Sequence, residues 1–144
     1  MLRRDFVTRL PVITSGLALG ASTLSLGACA GVRHVVPRTG SDRLVVGLAE
    51  LDEDGHLFAQ APGMPRPVYV RRLASGEVVA LLASCTHQGC QPEPVADRLA
   101  CPCHGSEFSF EGLVLQGPAE RPLTRYPVSV EGGDVVVLLE GGVQ

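Results

Sequence analysis

Six side chains able to bind a metal or exchange electrons fall between residues 85 and 104: Cys85, His87, Cys90, Cys101, Cys103 and His104. They come as Ser84-Cys85-Thr86-His87-Gln88-Gly89-Cys90, then ten residues, then Cys101-Pro102-Cys103-His104-Gly105-Ser106. Each half offers two cysteines and one histidine, the ligand types of zinc and iron sites. A structural zinc ion takes four Cys or His ligands. Six candidates overfill such a site, and ligand pairs two to four residues apart do not map cleanly onto this spacing. A disulfide framework uses the four cysteines but leaves the two histidines without a role. A thiol–disulfide catalyst is disfavoured, since Cys90 and Cys103 belong to no C-x-x-C unit.

A [2Fe–2S] cluster held by two cysteines on one iron and two histidines on the other uses mixed ligands of this kind. The pattern C-T-H-x-G-C…C-P-C-H-G-S resembles the Rieske iron–sulfur proteins, in particular the disulfide-containing class of cytochrome bc complexes and the arsenite oxidase small subunit. The likeness is strong over residues 84–118. It implies that Cys85 and Cys101 bind one iron and His87 and His104 the other, with one [2Fe–2S] cluster as cofactor. It also implies a disulfide between Cys90 and Cys103 that clamps the two cluster loops, and a proline loop at Gly117-Pro118-Ala119 covering the cluster from a third side. No catalytic group beyond the cluster is expected.

The ligand set and its surroundings fix what such a centre does. Two neutral imidazoles in place of two thiolates leave the cluster less negative and easier to reduce. Rieske potentials span roughly −150 to +300 mV, against about −400 mV for plant-type ferredoxins. Hydrogen bonds to cluster sulfurs raise the potential further. By resemblance Ser106 supplies one such bond to a bridging sulfide. Two residues on, high-potential members carry a tyrosine, and this chain has Phe108, so a potential below the top of the range is expected. Thirteen residues separate His87 from Cys101, fewer than is usual in the family, and the connecting loop 91–100 is read as trimmed.

The family implication is one-electron transfer, with the histidine imidazoles at the surface as the outlet. Two settings follow. In one, the chain is an exported, membrane-tethered carrier or the small subunit of a redox complex, with partners such as a c-type cytochrome or a molybdenum subunit. In the other, it oxidises quinol beside a cytochrome b subunit in a cytochrome bc-type complex. A Rieske oxygenase needs a second domain with a 2-His-1-carboxylate iron site, and only His34 and His56 remain here. A structural zinc or disulfide domain is the alternative of another class.

These loops need a rigid base. After residue 33 no stretch carries a long helical period, and short β-rich runs alternate with turns. Strands are predicted at Leu44–Leu48, Val68–Arg72, Glu77–Leu82, Ser106–Phe110, Leu113–Leu115, Pro127–Val130 and Asp134–Leu139. The last two flank the hairpin signal Glu131-Gly132-Gly133, and Asp52–Gly55 reads as a solvated turn. No internal repeat stands out. The fold class is all-β, with antiparallel sheets in a sandwich-like base and a small cluster-binding subdomain over about 84–118. Aromatics make up 4% of the chain and Trp is absent, which points to an aliphatic core.

The chain has 144 residues, room for one ordinary domain. Its first thirty residues read as an address. Arg3-Arg4-Asp5-Phe6-Val7 resembles a twin-arginine export signal, and Leu10–Val32 carries no charge. Leu26-Gly27-Ala28-Cys29 resembles a lipobox, which would make Cys29 the site of lipid attachment. The organisation expected is therefore a signal or anchor over 1–28, a tether over 29–42 and the domain over 43–144. A cleaved lipoprotein, an uncleaved anchor helix and soluble export all place the domain outside the cytoplasm, where disulfides persist. Net charge is −3, with every basic residue an arginine, and no nucleic-acid partner is expected.

Overall fold

A computed structural model describes residues 33–40, 42–51 and 55–144. The signal, the lipobox with Cys29 and the acidic turn Asp52–Asp54 lie outside the described residues.

Thirteen short strands form three sheets among the described residues, and the one helical element there is a 3-10 turn at Leu48–Leu51. The central sheet joins β1 (His34–Val35), β4 (His56–Ala59), β5 (Val68–Arg72), β6 (Val78–Leu82) and β11 (Arg125–Tyr126), in that order. A second sheet runs β12 (Val128–Glu131), β13 (Asp134–Leu138), β3 (Arg43–Gly47), β2 (Arg38–Thr39). The third is β10 (Val114–Gln116), β9 (Glu107–Phe108), β8 (Arg98–Ala100), β7 (Glu93–Val95). All pairings are antiparallel except β1 with β4.

The period-two alternation of strand side chains decides how these sheets stack. In β4, β5 and β6, the residues Leu57, Ala59, Val68, Val70 and Ala80 face one core, shared with Leu44 and Val46 of β3 and Val135 and Val137 of β13. Their neighbours Phe58, Tyr69 and Leu81 face the other way, into a second core with Leu99, Phe108, Ala119, Leu123 and the thiols of Cys85 and Cys101. The central sheet is thus covered on both faces. This is why its strands read as continuous apolar runs rather than as a clean alternation.

The second core corrects the aliphatic expectation. Tyr69, Phe58 and Phe108 are the three largest fully buried side chains. Tyr69 takes a hydrogen bond from Arg71 Nη1 at 3.2 Å, and the Arg71 guanidinium lies 3.6 Å over the Phe110 ring. Burial pushes the Tyr69 phenol above its ordinary pKa, with the Arg71 bond pulling against it. Few aromatics are present, and packing concentrates them under the cluster loops.

The predicted strand Val68–Arg72 coincides with β5, and its neighbour β6 starts one residue late, at Val78. The run expected at Ser106–Phe110 shortens to Glu107–Phe108, and that at Leu113–Leu115 shifts to Val114–Gln116. Four strands were not anticipated in the domain: β4, β7, β8 and β11. The loop 91–100 is a β-hairpin, turned through Ala96, whose φ of 53 is left-handed. Part of the segment expected to be a tether also forms strand, β1 on β4 and β2 on β3. His34 is exposed and stacks on Phe58 at 5.2 Å, and His56 lies 5.7 Å from Tyr69.

Candidate metal centre

Two loops rise from the third sheet and the end of β6, and each is closed by its own backbone. In the first, Cys85 N–H donates to Cys90 O at 2.8 Å and Gly89 N–H to Cys85 O at 2.7 Å. In the second, Cys101 N–H donates to Ser106 O at 2.8 Å and Gly105 N–H to Cys101 O at 3.1 Å. Gly89 and Gly105 occupy the same place in each, with φ of +76 and +77. Only glycine takes that conformation without strain. The loops therefore repeat one backbone pattern, a correspondence the sequence reading did not extract.

This pattern puts the four expected ligands together at one end of the domain. Cys85 and Cys101 are unpaired thiols, each 3% exposed, at the top of the second core. Cys85 and Cys101 lie in the same core, and the N–H groups of Cys103 and His104 favour the Cys101 thiolate. Burial pushes the Cys101 thiol up; those N–H donors offset part of the rise and neighbouring Cys85 adds to it. His87 and His104 are exposed, with ring centroids 4.9 Å apart and planes at 88°. Soft buried sulfur thus lies inside and imidazole outside, a donor set that fits an iron–sulfur cluster with mixed ligation.

Cys90 and Cys103 form a disulfide, with Cα atoms 6.5 Å apart, that ties the two loops covalently. The Cys101 sulfur lies within 4.8 Å of both its sulfurs. The disulfide-bonded pair has no free thiolate to offer a metal, and Cys85 and Cys101 are the free thiols among the described residues.

A third loop, carrying Pro118, closes the centre. Ala119 N–H donates to Ser106 Oγ at 3.0 Å, with Ser106 fully buried and Ala119 3% exposed. Thr86 Oγ1 donates to Arg121 O at 2.6 Å. Each cluster loop thus contributes one hydroxyl that pins the proline loop. Ser106 accepts from Ala119 and keeps its own O–H proton free to donate. Sequence reasoning named Ser106 and Pro118 but missed Thr86 and the Ala119 amide. Thr86 sits inside the motif, but its partner is 35 residues away, and only the folded chain joins them. Pro118 is exposed and, with Thr86, His87, Glu120 and Arg121, lines an open cleft of about 390 Å³. Phe108 is fully buried below the thiols, in the same core.

Replacing Ser106 with alanine is expected to cost about 1–3 kcal/mol, because the Ala119 N–H is left buried without a partner. Urea unfolding of the iron-free chain measures this directly. A cost below ~0.5 kcal/mol would mean that the proline loop is not held by Ser106.

Comparisons with known proteins agree with this geometry. A family model described as Rieske [2Fe–2S] domain matches residues 42–127, more than half of the chain. A cytochrome b6-f complex iron–sulfur subunit of Chlorobaculum tepidum is 42% identical over 64 residues, covering 43% of this chain and 35% of that subunit. Subunit 2 of the same name from Nostoc sp. PCC 7120 is 31% identical over 132 residues, covering 79% of this chain and 74% of the relative. Among solved structures, the plasma membrane Rieske protein PetC3 of the cyanobacterium Synechocystis PCC 6803 superposes with a TM-score of 0.59 at 39% identity. That match covers 65% of this chain and 97% of the other.

Proposed function

Because the chain belongs to the Rieske [2Fe–2S] family, which carries single electrons on one such cluster, we propose that Cys85, Cys101, His87 and His104 hold that cluster here. We propose further that the chain works as an exported, membrane-tethered carrier or as the small subunit of a redox complex. The observation that carries the ligand assignment is the pairing of two buried, unpaired thiols with two exposed, mutually contacting imidazoles on loops of one backbone pattern. When bound, the cluster supplies a site for one electron.

The chain's own residues do the rest. Leu99, Phe108, Ala119 and Leu123 pack around the thiols and exclude water from the sulfur side. The amides of Cys103 and His104 donate toward the Cys101 sulfur, which stabilises negative charge there. The disulfide and the two hydroxyl straps keep the three loops in register. His87 and His104 form the exposed face, so a partner's acceptor is brought close through the imidazoles. The adjoining surface, Thr86, Gln88, Pro118 and Gln116, is uncharged, with Glu120 and Arg121 at its border. Partners of stated kind are a c-type cytochrome or a molybdenum subunit.

The quinol-oxidising setting, beside a cytochrome b subunit, is the second reading. What favours it is that the relatives are named as cytochrome b6-f complex subunits. The membrane attachment of both readings rests on residues 1–32, including Cys29. Among the described residues no helix is long and apolar enough to cross a membrane.

The full chain, loaded with iron and sulfide, is reduced stepwise while its EPR spectrum is recorded. A rhombic Rieske-type signal from the reduced form is the expected result. Zinc or no metal in place of that signal removes the electron-transfer reading. The midpoint then separates the two settings, and reduction by added quinol only when a b-type cytochrome copurifies favours the second. Phe108→Tyr is expected to raise that midpoint, by about 40 mV for each kcal/mol that a new hydroxyl bond to a cluster-ligand sulfur gives the reduced form. An unchanged midpoint would leave Phe108 a packing residue alone.

A further inference from the structure

We propose that Arg121 anchors a carboxylate of the redox partner, and that residues 142–144 hold it in place beside His87. Arg121 is fixed at both of its ends. Its carbonyl accepts the Thr86 hydroxyl at 2.6 Å, which ties its backbone to the loop that carries His87. Its guanidinium donates from Nη1 to Gln144 Oε1 at 2.8 Å, and Gln144 Nε2 donates on to Thr124 Oγ1 at 3.2 Å. The backbone next to Gln144 is seated as well. Val143 and Arg125 exchange both main-chain hydrogen bonds, at 2.7 and 3.0 Å. The chain packs so closely there that a Cβ on Gly142 would meet Tyr126 Cε1 at 2.8 Å and Thr124 Cγ2 at 2.9 Å. Glycine at 142 is what lets Gln144 come down onto β11 and reach the guanidinium.

Arg121 and His87 line one open cleft of about 340 Å³, walled also by Ser84, Thr86, Gln88 and Thr124. No carboxylate lines that cleft, and Glu120 borders the neighbouring one, on the Pro118 side. A guanidinium is a planar fork of N–H donors that matches a carboxylate in a bidentate pair. Gln144 takes one donor and leaves the rest of the fork for a ligand. A carboxylate bound there lies between a fixed cation and the exposed imidazole of His87, the outlet for the electron. The chain as a whole carries −3, so its overall field does not draw in an acidic partner, and recruitment depends on this local cation. The partner that fits is a water-soluble c-type cytochrome with acidic side chains around its haem edge. The inference rests on the electron-transfer reading for the identity of that partner. Its test contains no iron, so either can fail alone.

The full chain, iron-free and in detergent, is titrated at low ionic strength into an oxidised c-type cytochrome with an acidic haem edge, and separately into one with a basic haem edge. Calorimetry reads the dissociation constants, and urea unfolding checks that each variant is folded. Arg121→Gln is expected to weaken binding to the acidic cytochrome about tenfold. Gln144→Glu should weaken it by a similar factor, because the new carboxylate occupies the guanidinium and repels the partner's own. A purely structural role for this contact predicts no loss from Gln144→Glu, since an ion pair replaces the hydrogen bond. Arg121→Lys should recover part of the affinity, keeping the charge without the fork. None of the three should weaken binding to the basic cytochrome. If Arg121→Gln fails to fold, Gln144→Glu decides. Unchanged affinity for the acidic cytochrome in either variant, equal losses with both cytochromes, or no measurable binding of the acidic cytochrome by the parent would each overturn the proposal.

Discussion

His87→Ala and Cys101→Ala should each yield a folded chain with no iron–sulfur cluster, and the two variants separate metal ligation from structure. His87 is exposed, and its ring touches only that of His104 among the ring contacts of the described residues. Its removal should change the stability of the iron-free chain by no more than about 0.5 kcal/mol, the usual range for a surface substitution. Cys101 is a small, buried member of the second core. Its truncation removes one sulfur from that core, and the disulfide and the loop backbone remain. Both variants should nevertheless lose the visible absorption and the iron completely, because an iron missing one of its two protein ligands is open to solvent and exchange. Iron content per chain and urea unfolding of the iron-free forms are the two measurements. A His87→Ala chain that kept its full iron would exclude His87 as a ligand. A His87→Ala chain that unfolded would make that residue a structural one.

The second large effect is on stability. Removing the disulfide by the double substitution Cys90→Ala and Cys103→Ala should destabilise the iron-free domain by about 3 kcal/mol. That is the loop-closure value for a cross-link of this length, and the sequence separation here is 13. A domain of this size has about 5–15 kcal/mol in total, so the loss is a large share and should be visible as a lower urea midpoint. The cost falls on the loops. Each is closed by its own backbone bonds, while the disulfide is the covalent tie between them. The cluster should therefore still assemble in the double variant but be lost faster, followed as the decay of visible absorption in air. An iron-free midpoint unchanged by the substitutions would show that the Cys101–Cys85 contact and the hydroxyl straps suffice to hold the loops together.

Much of this was legible in the residues. The spacing of two cysteines and one histidine in each half, and the serine that ends the second half, all follow the chain locally. Local order is enough to close a loop whose ends lie five residues apart. The all-β class was equally legible, since an absent helical period and dense turn residues act within a few positions. Strands β5 and β6 could be read because they are continuous apolar runs joined by a glycine turn.

Apart from the four-residue β4, the unread elements share a physical cause. β1, β2, β7, β8 and β11 are two or three residues long, too short to show a period, and such strands exist only because a partner is in place. The 91–100 hairpin carries Pro94 and an Asp97-Arg98 pair and has no alternation. It is held by β9 beyond it and by the Arg98–Glu107 ion pair at 2.9 Å. The small aromatic content gave no hint that Phe58, Tyr69 and Phe108 would gather in one place.

The sequence by itself determined which side chains are candidates to hold a metal and that strands must carry them, because ligand chemistry and backbone periodicity are properties of single residues and near neighbours. Only the tertiary structure decided that the thiols are buried while the imidazoles are exposed, that Ser106 and Thr86 reach across to the proline loop, and that Cys101 sits against the disulfide. These relations join residues distant along the chain, and they come into being when both faces of the central sheet bury their apolar side chains.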